Sequence, residues 1–299
     1  MRTALLFVLA VIAGCGTDEP TTEGPLTPGP PEGGQQLATT TWHLQPGEEK
    51  YICYQFYSPD EAVAITRVDE IASLGVHHVF LFQAYGRNEP DAPHECPTLI
   101  KTTWNPIWVA AAGAEHSLQT PPGTGFVIAP TTQYIVQLHL QNTSDDPIDV
   151  RGGLNLTYER NVAAVTPVGI YGIGSFALDI PGNTQNYEVP VSCTPQKKMN
   201  VFGVLPHMHK LGKKIDVKYT PVGGEKKNFY KIDPWLFGNQ PLDMMDATIS
   251  PGDKLDLTCT YNNPTNQSVK YGESSDQEMC FFVLFYYPYD HLDGCAIGG

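Results

Sequence analysis

The sequence predicts an all-β protein made of two antiparallel β-sandwich, jelly-roll-like domains. Short apolar or alternating runs rich in Val, Ile, Phe, Tyr and Thr recur along the chain, and each is bounded by turn residues, which is typical of strands. The 26 prolines and 28 glycines interrupt almost any helical period, so the only helix candidate is a short turn around Asp60–Ala64. The strand-like runs include YICYQFY (51–57), HHVFLFQAY (77–85), GFVIAP (125–130), YIVQLHLQN (134–142), LNLTYE (154–159), MNVFGVLPHMH (199–209), KIDVKYTPV (214–222), KLDLTCTYNN (254–263) and MCFFVLFYYP (279–288).

A domain boundary is expected within ERNVAAVTPV (159–168), directly after the run LNLTYE. Residues 39–162 would then form an N-terminal sandwich and residues 163–299 a C-terminal one, and both lengths are ordinary for a domain. Cys53 and Cys96 fall in the first half, whereas Cys193, Cys259, Cys280 and Cys295 fall in the second. This division supports two domains, because disulfides in small secreted domains usually close within one domain.

Residues 1–15, MRTALLFVLAVIAGC, have the pattern of a secretory signal, with Arg2 ahead of an apolar stretch too short to span a bilayer. The end of this stretch, VIAGC, resembles the lipobox of a bacterial lipoprotein, which implies cleavage before Cys15 and lipidation of that residue. The alternative is an ordinary secretory signal with a nearby cleavage site. Residues 16–38 are rich in Pro, Gly and Thr and contain no aromatic residue, so a disordered tether is expected there.

The expected location is therefore the bacterial cell envelope, on the periplasmic side or at the cell surface, with the lipid anchor as the only membrane attachment. No later segment has the run of about 18 apolar residues that a membrane helix requires. The formal net charge of −14 and the lack of a basic run exclude nucleic acid as an expected partner.

Seven cysteines are present, and an even number remains when Cys15 is set aside. In an exported chain an even number suggests disulfides, although arithmetic alone leaves the pairing open. A metal thiolate cluster is the alternative, but the sequence contains no CxxC pair.

Five of the nine histidines lie in three of the strand-like runs: His77, His78, His139, His207 and His209. Residues i and i+2 of a strand point to the same side, so His207 and His209 can meet one metal ion. Imidazole suits copper, zinc, iron and nickel alike, so this pair alone does not identify a metal.

His77 and His78 are adjacent, and adjacent residues of a regular strand face opposite sides. Both can bind one ion only at a strand end or a bulge; otherwise one would lie in the core and one at the surface. Met279 would alternate with Phe281 and Val283 on a strand, which is the pattern of a core methionine. As a metal ligand, its thioether would select soft copper, mainly Cu(I).

The order HH…QLH…HMH…EMC, within VHHVFLF, VQLHLQN, LPHMHKLGKKI, PGDKLDLTCTYNN and SSDQEMCFFVLFYYP, resembles the catalytic core of the copper type II, ascorbate-dependent monooxygenases. This family includes peptidylglycine α-hydroxylating monooxygenase and dopamine β-monooxygenase, and the resemblance covers about residues 42–295. It implies two copper ions per chain, one in each domain, with an open, solvent-filled cleft between the two sites. The implied ligands are His77, His78 and His139 for the first ion, and His207, His209 and Met279 for the second, O₂-activating ion.

The resemblance also implies the disulfides Cys53–Cys96, Cys193–Cys295 and Cys259–Cys280, and places Gln137 near the first copper. The family reaction inserts one oxygen atom of O₂ into a C–H bond and reduces the other to water with an external one-electron reductant, which is ascorbate in the family.

Three substrate-pocket candidates follow from the family pattern. The residues with which the peptide enzyme holds a carboxylate correspond here to Leu205, Phe281 and Val283, none of which can do so. A small hydrophobic or aromatic substrate is therefore expected instead of a peptidylglycine. The alternative function is a copper-binding or copper-delivery lipoprotein without turnover, which would keep the ligands but need no substrate pocket; a structural or adhesive sandwich is a third hypothesis.

Overall fold

The computed structural model describes residues 26–86, 89–96, 101, 103–110, 117–289 and 294–297. The predicted signal with Cys15 and residues 16–25 of the predicted tether lie outside this range. The prediction of a disordered tether is wrong for its end, because Gln35–Ala38 form a strand that pairs with residues 153–156 and buries Leu37. The described residues contain 24 β-strands, one short 3₁₀ turn and no α-helix. This part of the chain accordingly offers no helix long and apolar enough to cross a membrane.

The first twelve strands form two main sheets and one small pair. The sheet orders are β1-β12-β4-β9, with β8 also beside β4, then β6-β3-β10-β5-β7, and the pair β2-β11. These strands are β1 (Gln35–Ala38), β2 (Trp42–Leu44), β3 (Glu49–Tyr57), β4 (Val63–Ala72), β5 (Val76–Ala84), β6 (His94–Glu95), β7 (Trp104–Ala110), β8 (Ser117–Gln119), β9 (Thr124–Ile128), β10 (Gln133–Gln141), β11 (Ile148–Val150) and β12 (Gly152–Glu159). We call this set the first sandwich.

A 3₁₀ turn (Val162–Ala164) and the two-residue strand β13 (Thr166–Pro167), which pairs with β9 of the first sandwich, lead into the second set. Its sheet orders are β20-β17-β23-β14-β24, then β16-β21-β18-β19, and the pair β15-β22. The strands are β14 (Gly169–Ser175), β15 (Asp179–Ile180), β16 (Thr184–Cys193), β17 (Met199–His207), β18 (Gly212–Thr220), β19 (Lys227–Ile232), β20 (Asp243–Ile249), β21 (Lys254–Asn263), β22 (Val269–Lys270), β23 (Cys280–Tyr287) and β24 (Gly294–Ile297). We call this set the second sandwich.

The two sandwiches share one topology. The order β3-β10-β5-β7 recurs as β16-β21-β18-β19, the order β1-β12-β4-β9 recurs as β14-β23-β17-β20, and the pair β2-β11 recurs as β15-β22. Even a turn is repeated. The Asn142 side chain donates to the carbonyls of Leu44 and Asp146 at 3.2 and 2.8 Å, and Asn263 makes the same pair of bonds to Ile180 and Gln267 at 3.2 and 2.9 Å.

Each sandwich has its own apolar core, built from alternating residues of its two sheets. In β10 the residues Tyr134, Val136, Leu138 and Leu140 face the first core, so that Gln137 and His139 face outward. The first core also reaches across the boundary, because Phe202, Leu205 and Phe285 of the second sandwich belong to it. Apolar packing therefore holds the outer face of β17 and β23 against the first sandwich.

The all-β prediction is confirmed, and every strand-like run in the sequence coincides with a strand. The helix candidate around Asp60–Ala64 is wrong: Ala64 lies in β4, which begins at Val63 and pairs with β9 and β12. Interstrand hydrogen bonding decides the conformation there, and a short local pattern does not contain that information. The boundary at 162/163 stays a prediction, while β13 shows that residues just beyond it still pair with the first sandwich.

All three expected disulfides are present: Cys53–Cys96, Cys193–Cys295 and Cys259–Cys280. The last joins β21 to β23, and therefore links the two sheets of the second sandwich one residue after Met279. We predict that the double variant Cys259→Ala/Cys280→Ala loses about 2–4 kcal/mol of unfolding free energy, because the bridge constrains the unfolded chain. Urea unfolding of the full chain tests this, and an unchanged midpoint and slope would contradict it.

Candidate metal centre

A β-bulge turns two adjacent histidines toward one point. β10 pairs with β5 in regular register from Tyr134 to His139, where His139 lies opposite His78, and the next residue of β10, Leu140, lies opposite Val76. His77 is the extra residue of this bulge. The bulge re-aims its side chain, as bulges near functional sites commonly do. A bulge is one of the two arrangements that would allow His77 and His78 to share a metal site, and the structure contains it.

The imidazoles of His77, His78 and His139 form a cluster whose ligand atoms all lie within 4.8 Å of one another. The Nδ1 atoms of His77 and His78 are 3.4 Å apart, and those of His78 and His139 are 3.1 Å apart. One ion about 2 Å from each nitrogen can bridge such distances. The Nε2 atoms of His77 and His78 have no hydrogen-bond partner among the described residues. No hydrogen bond at Nε2 therefore fixes the orientation of either ring.

Two residues of β3 orient the ring of His139. Its Nε2 lies 2.7 Å from a carboxylate oxygen of Glu49, and its ring stacks on Tyr51 at 4.2 Å between centroids. Because a carboxylate only accepts hydrogen bonds, Nε2 of His139 carries the proton and donates a hydrogen bond to Glu49. The lone pair of Nδ1 then faces the other two histidines. This hydrogen bond is the main reason that the pKa of Glu49 is lowered to about 2.

The second histidine pair lies at the end of β17. Met208 is fully buried in the second core, so His207 and His209 point to the other side, as the strand period predicts. Nδ1 of His207 lies 2.7 Å from the side-chain oxygen of Gln240, and Nδ1 of His209 lies 3.0 Å from the carbonyl of Gln277. Both acceptors are carbonyl oxygens, so each Nδ1 carries the proton and each Nε2 keeps a lone pair for a metal.

Met279 lies immediately before β23 and is 2% exposed. Its backbone amide donates a hydrogen bond to the carboxylate of Glu278 at 3.3 Å, and its backbone carbonyl accepts one from the hydroxyl of Tyr261 at 2.6 Å. The same buried carboxylate accepts the amides of His209 at 2.9 Å and Leu211 at 2.6 Å. The Glu278 carboxylate therefore links, through hydrogen bonds, the turn that contains His209 to the backbone of Met279.

Burial keeps these imidazoles neutral. It lowers the pKa of His77 and of His207 to about 3, lowers that of His209 to about 4, and holds the pKa of His78 well below its usual value. Neutral imidazole is the form that binds metals. Burial also raises the pKa of Glu278 to about 7, although three backbone amides that donate to it act in the opposite direction.

The two predicted ligand sets lie against each other, so the expected open, solvent-filled cleft between them is wrong for this structure. The ring centroids of His78 and His207 are 5.3 Å apart, and Phe237 of the second sandwich covers His77 at 4.7 Å. The physical reason is the apolar packing of β17 and β23 on the first sandwich. The sequence pattern does not contain the relative position of two domains.

An apolar cavity of about 410 Å³ remains beside the joined histidines, and we call it the interdomain cavity. The three substrate-pocket candidates Leu205, Phe281 and Val283 all line it, as do His207 and Met279. The outward face of β23 therefore borders a cavity. The full lining is His78, Phe80, Pro106, Val109, Ile170, Gly172, Phe176, Leu205, His207, Tyr271, Met279, Phe281, Val283, Gly294 and Cys295.

Gln137 lies on the same outward face as His139, with its amide nitrogen 3.4 Å from Cys96 Sγ and 3.6 Å from Cys53 Sγ. Its predicted role near a first copper stays a prediction. Sequence reasoning missed Glu49, Gln240 and Glu278, which orient the ligands. Only Glu278 had a signal, because it directly precedes Met279 in the EMC motif.

The two sandwiches bring together a histidine triad that could hold a metal ion and a second set of His207, His209 and Met279, as expected for a metal-binding class of β-sandwich protein. Residues 166–298 match the family described as "Copper type II ascorbate-dependent monooxygenase, C-terminal domain". DBH-like monooxygenase protein 1 of Homo sapiens is 26% identical over 282 residues, covering 82% of this chain and 46% of that protein. Dopamine beta-hydroxylase of Equus caballus is 24% identical over 288 residues, covering 84% of this chain and 46% of that protein.

The second sandwich therefore matches a domain of the copper type II, ascorbate-dependent monooxygenase family, and the similarity to these two relatives extends over more than four fifths of the chain. The chain spans about half the length of these curated relatives. A solved allantoicase structure aligns with a TM-score of only 0.25 at 11% identity, over 82% of this chain and 80% of that chain, and carries no argument.

The shared carboxylate of Glu278 generates a prediction. Glu278→Gln keeps the side-chain volume but replaces one acceptor oxygen with an NH₂ donor that faces backbone N–H groups. We expect a loss of about 1–3 kcal/mol in unfolding free energy, the cost of an unsatisfied buried group. Urea unfolding measures it against Glu95→Gln, an exposed control; equal stabilities for the two variants would contradict the shared-acceptor role.

Proposed function

We propose that the protein is a dicopper monooxygenase that hydroxylates a C–H bond of a small hydrophobic or aromatic substrate, using O₂ and an external one-electron reductant such as ascorbate. The observation that carries this proposal is the interdomain cavity, whose wall contains His207 and Met279 beside apolar side chains. A copper-delivery protein needs the ligands but has no use for such a cavity. The family match supports the copper and the reaction class.

In this proposal His77, His78 and His139 would hold one copper ion, and His207, His209 and Met279 would hold the other. Copper in these sites would supply O₂ activation and one-electron transfer. Glu49, Gln240 and the Gln277 carbonyl keep protons on the outer ring nitrogens and so keep lone pairs on the inner ones.

The apolar lining of the interdomain cavity excludes water from the substrate's reacting bond and orients it toward His207 and Met279. Leu205 and Val283 lie opposite each other on β17 and β23, with Phe281 opposite His207. These three side chains give a substrate carboxylate no hydrogen-bonding partner.

We also propose that the protein is exported and held in the bacterial cell envelope by lipid at Cys15. The three disulfides support an oxidising compartment, because such bridges persist outside the cytosol.

Copper stoichiometry tests the two-site proposal. We predict two copper ions per chain at saturation for the full-length protein and one well-bound ion for His139→Ala, since that variant removes one of three ligands and leaves the second set complete. Metal analysis after dialysis measures both, with exposed His43→Ala as the matched control. A single ion in the unaltered protein, retained through His207 and His209, would refute the first site.

Met279 gives the sharpest test of the second site. Met279→Ile keeps approximate volume and apolarity, so we expect a cost below about 1.5 kcal/mol in unfolding free energy. If the thioether is a ligand, this variant folds yet loses substrate-coupled oxygen uptake, and the Cu(I) X-ray absorption spectrum loses its sulfur scatterer.

Met279→His should still bind copper but lose O₂ activation, because imidazole stabilises Cu(II) relative to the thioether. Full oxygen uptake by Met279→Ile, together with no sulfur signal in the unaltered protein, would assign Met279 to packing alone.

A further inference from the structure

A second cavity adjoins the interdomain cavity. This second cavity, of about 370 Å³, lies at the seam between β5, β7, β9 and the start of β14, and we call it the seam cavity. Pro106 and Ile170 line both cavities, so the two spaces are neighbours across these two side chains. Each volume is in the range of small-molecule sites, which run from about 300 to 1,000 Å³.

The described residues that line the interdomain cavity offer no partner for a charge. They include no Asp, Glu, Lys or Arg, and their polar side chains besides the two histidines are Tyr271 and the disulfide-bonded Cys295. An ammonium or carboxylate buried against them would lose its hydration without compensation. Relatives are named for the hydroxylation of dopamine and tyramine, molecules whose amine is charged at neutral pH, and the described lining has no acidic side chain to receive it.

The seam cavity does offer neutral hydrogen-bonding groups. Gln83 of β5 and Asn105 of β7 lie opposite each other in the antiparallel register, and both line this cavity. Neither side chain has a hydrogen-bond partner among the described residues. Two adjacent carboxamides present both donors and acceptors to a neutral polar group.

Building on the proposed function, we propose that the substrate is an uncharged, elongated molecule that occupies both cavities. Its apolar end lies against Phe281 and Met279 in the interdomain cavity. Its neutral polar end passes Pro106 and Ile170 and hydrogen-bonds to Gln83 and Asn105 in the seam cavity.

The test uses four probes with one carbon skeleton: 4-phenylbutanamide, n-butylbenzene, 4-phenylbutylamine and 4-phenylbutanoate. Calorimetric titration into the full-length, copper-free protein measures binding independently of turnover. We expect the amide to bind at least about tenfold more tightly than the ammonium and the carboxylate, because the carboxamides of Gln83 and Asn105 offer hydrogen bonds but no opposite charge to compensate for the lost hydration of a charged end. Butylbenzene should bind with intermediate affinity.

Two variants locate the polar end. Gln83→Leu and Asn105→Leu should each weaken amide binding by about 3–10-fold, the value of one lost hydrogen bond, and leave butylbenzene binding unchanged. Gln196→Leu, an exposed glutamine that lines neither cavity, is the matched control and should change neither affinity.

The proposal is overturned if a charged probe binds as tightly as the amide, if both variants leave amide binding unchanged, or if none of the four probes binds. Because copper is absent, these outcomes are separate from the test of the proposed function. If the protein fails to bind copper but binds the probes in the expected order, the proposed monooxygenase function is overturned and the proposed ligand class is kept. If it binds copper but does not show the expected order, only the proposed ligand class is overturned.

Discussion

The arrangement of the two ligand sets depends on one segment, residues 273–279, which makes hydrogen bonds to both sandwiches. Toward the first sandwich, the carbonyl of Glu273 accepts the hydroxyl of Tyr51 at 2.7 Å, and the hydroxyl of Ser275 lies 3.4 Å from the carboxylate of Glu49. Those two partners are the residues that stack on and orient the histidine of β10. The segment then continues into the Gln277 carbonyl and the Glu278 carboxylate, which hold His209. Moving one sandwich away from the other would break the two bonds to Tyr51 and Glu49, the residues that position His139.

The shared topology explains why the sites are not copies of each other. The first triad lies on β5 and β10, whose counterparts in the second sandwich are β18 and β21. The second set lies instead at β17 and β23, which belong to the opposite sheet. The first sandwich therefore carries its ligands on the sheet that contains β5 and β10. The second sandwich carries its ligands on the sheet that corresponds to the opposite sheet of the first, so non-equivalent strands of the repeated fold meet at the interface. This asymmetry allows a triad on one side and a thioether with an apolar wall on the other.

The sequence predicted the strands and the common side of His207 and His209, because each follows from a local period. For His77 and His78 it gave a strand end or a bulge only as the condition for a shared site, because the bulge depends on pairing with β10. The same period placed Met279 on one face with Phe281 and Val283, but could not tell a core face from a domain interface, since both are apolar. Glu49 and Gln240 could not be predicted, and the only signal for Glu278 was its position directly before Met279. Their roles depend on contacts between segments far apart in sequence, and buried polar partners leave no periodic signal.

Contact between the histidine clusters is not caused by attraction between the histidines themselves. Burial lowers the pKa of His77, His78, His207 and His209, and burying these four imidazoles carries a desolvation cost that nothing in their mutual contacts repays. The favourable term is the packing of Phe202, Leu205 and Phe285 against the first core. If both proposed copper ions are bound, they repel each other. The apolar face that borders the interdomain cavity would then also hold two charged sites together, so substitutions in that face would alter metal binding and ligand binding at once.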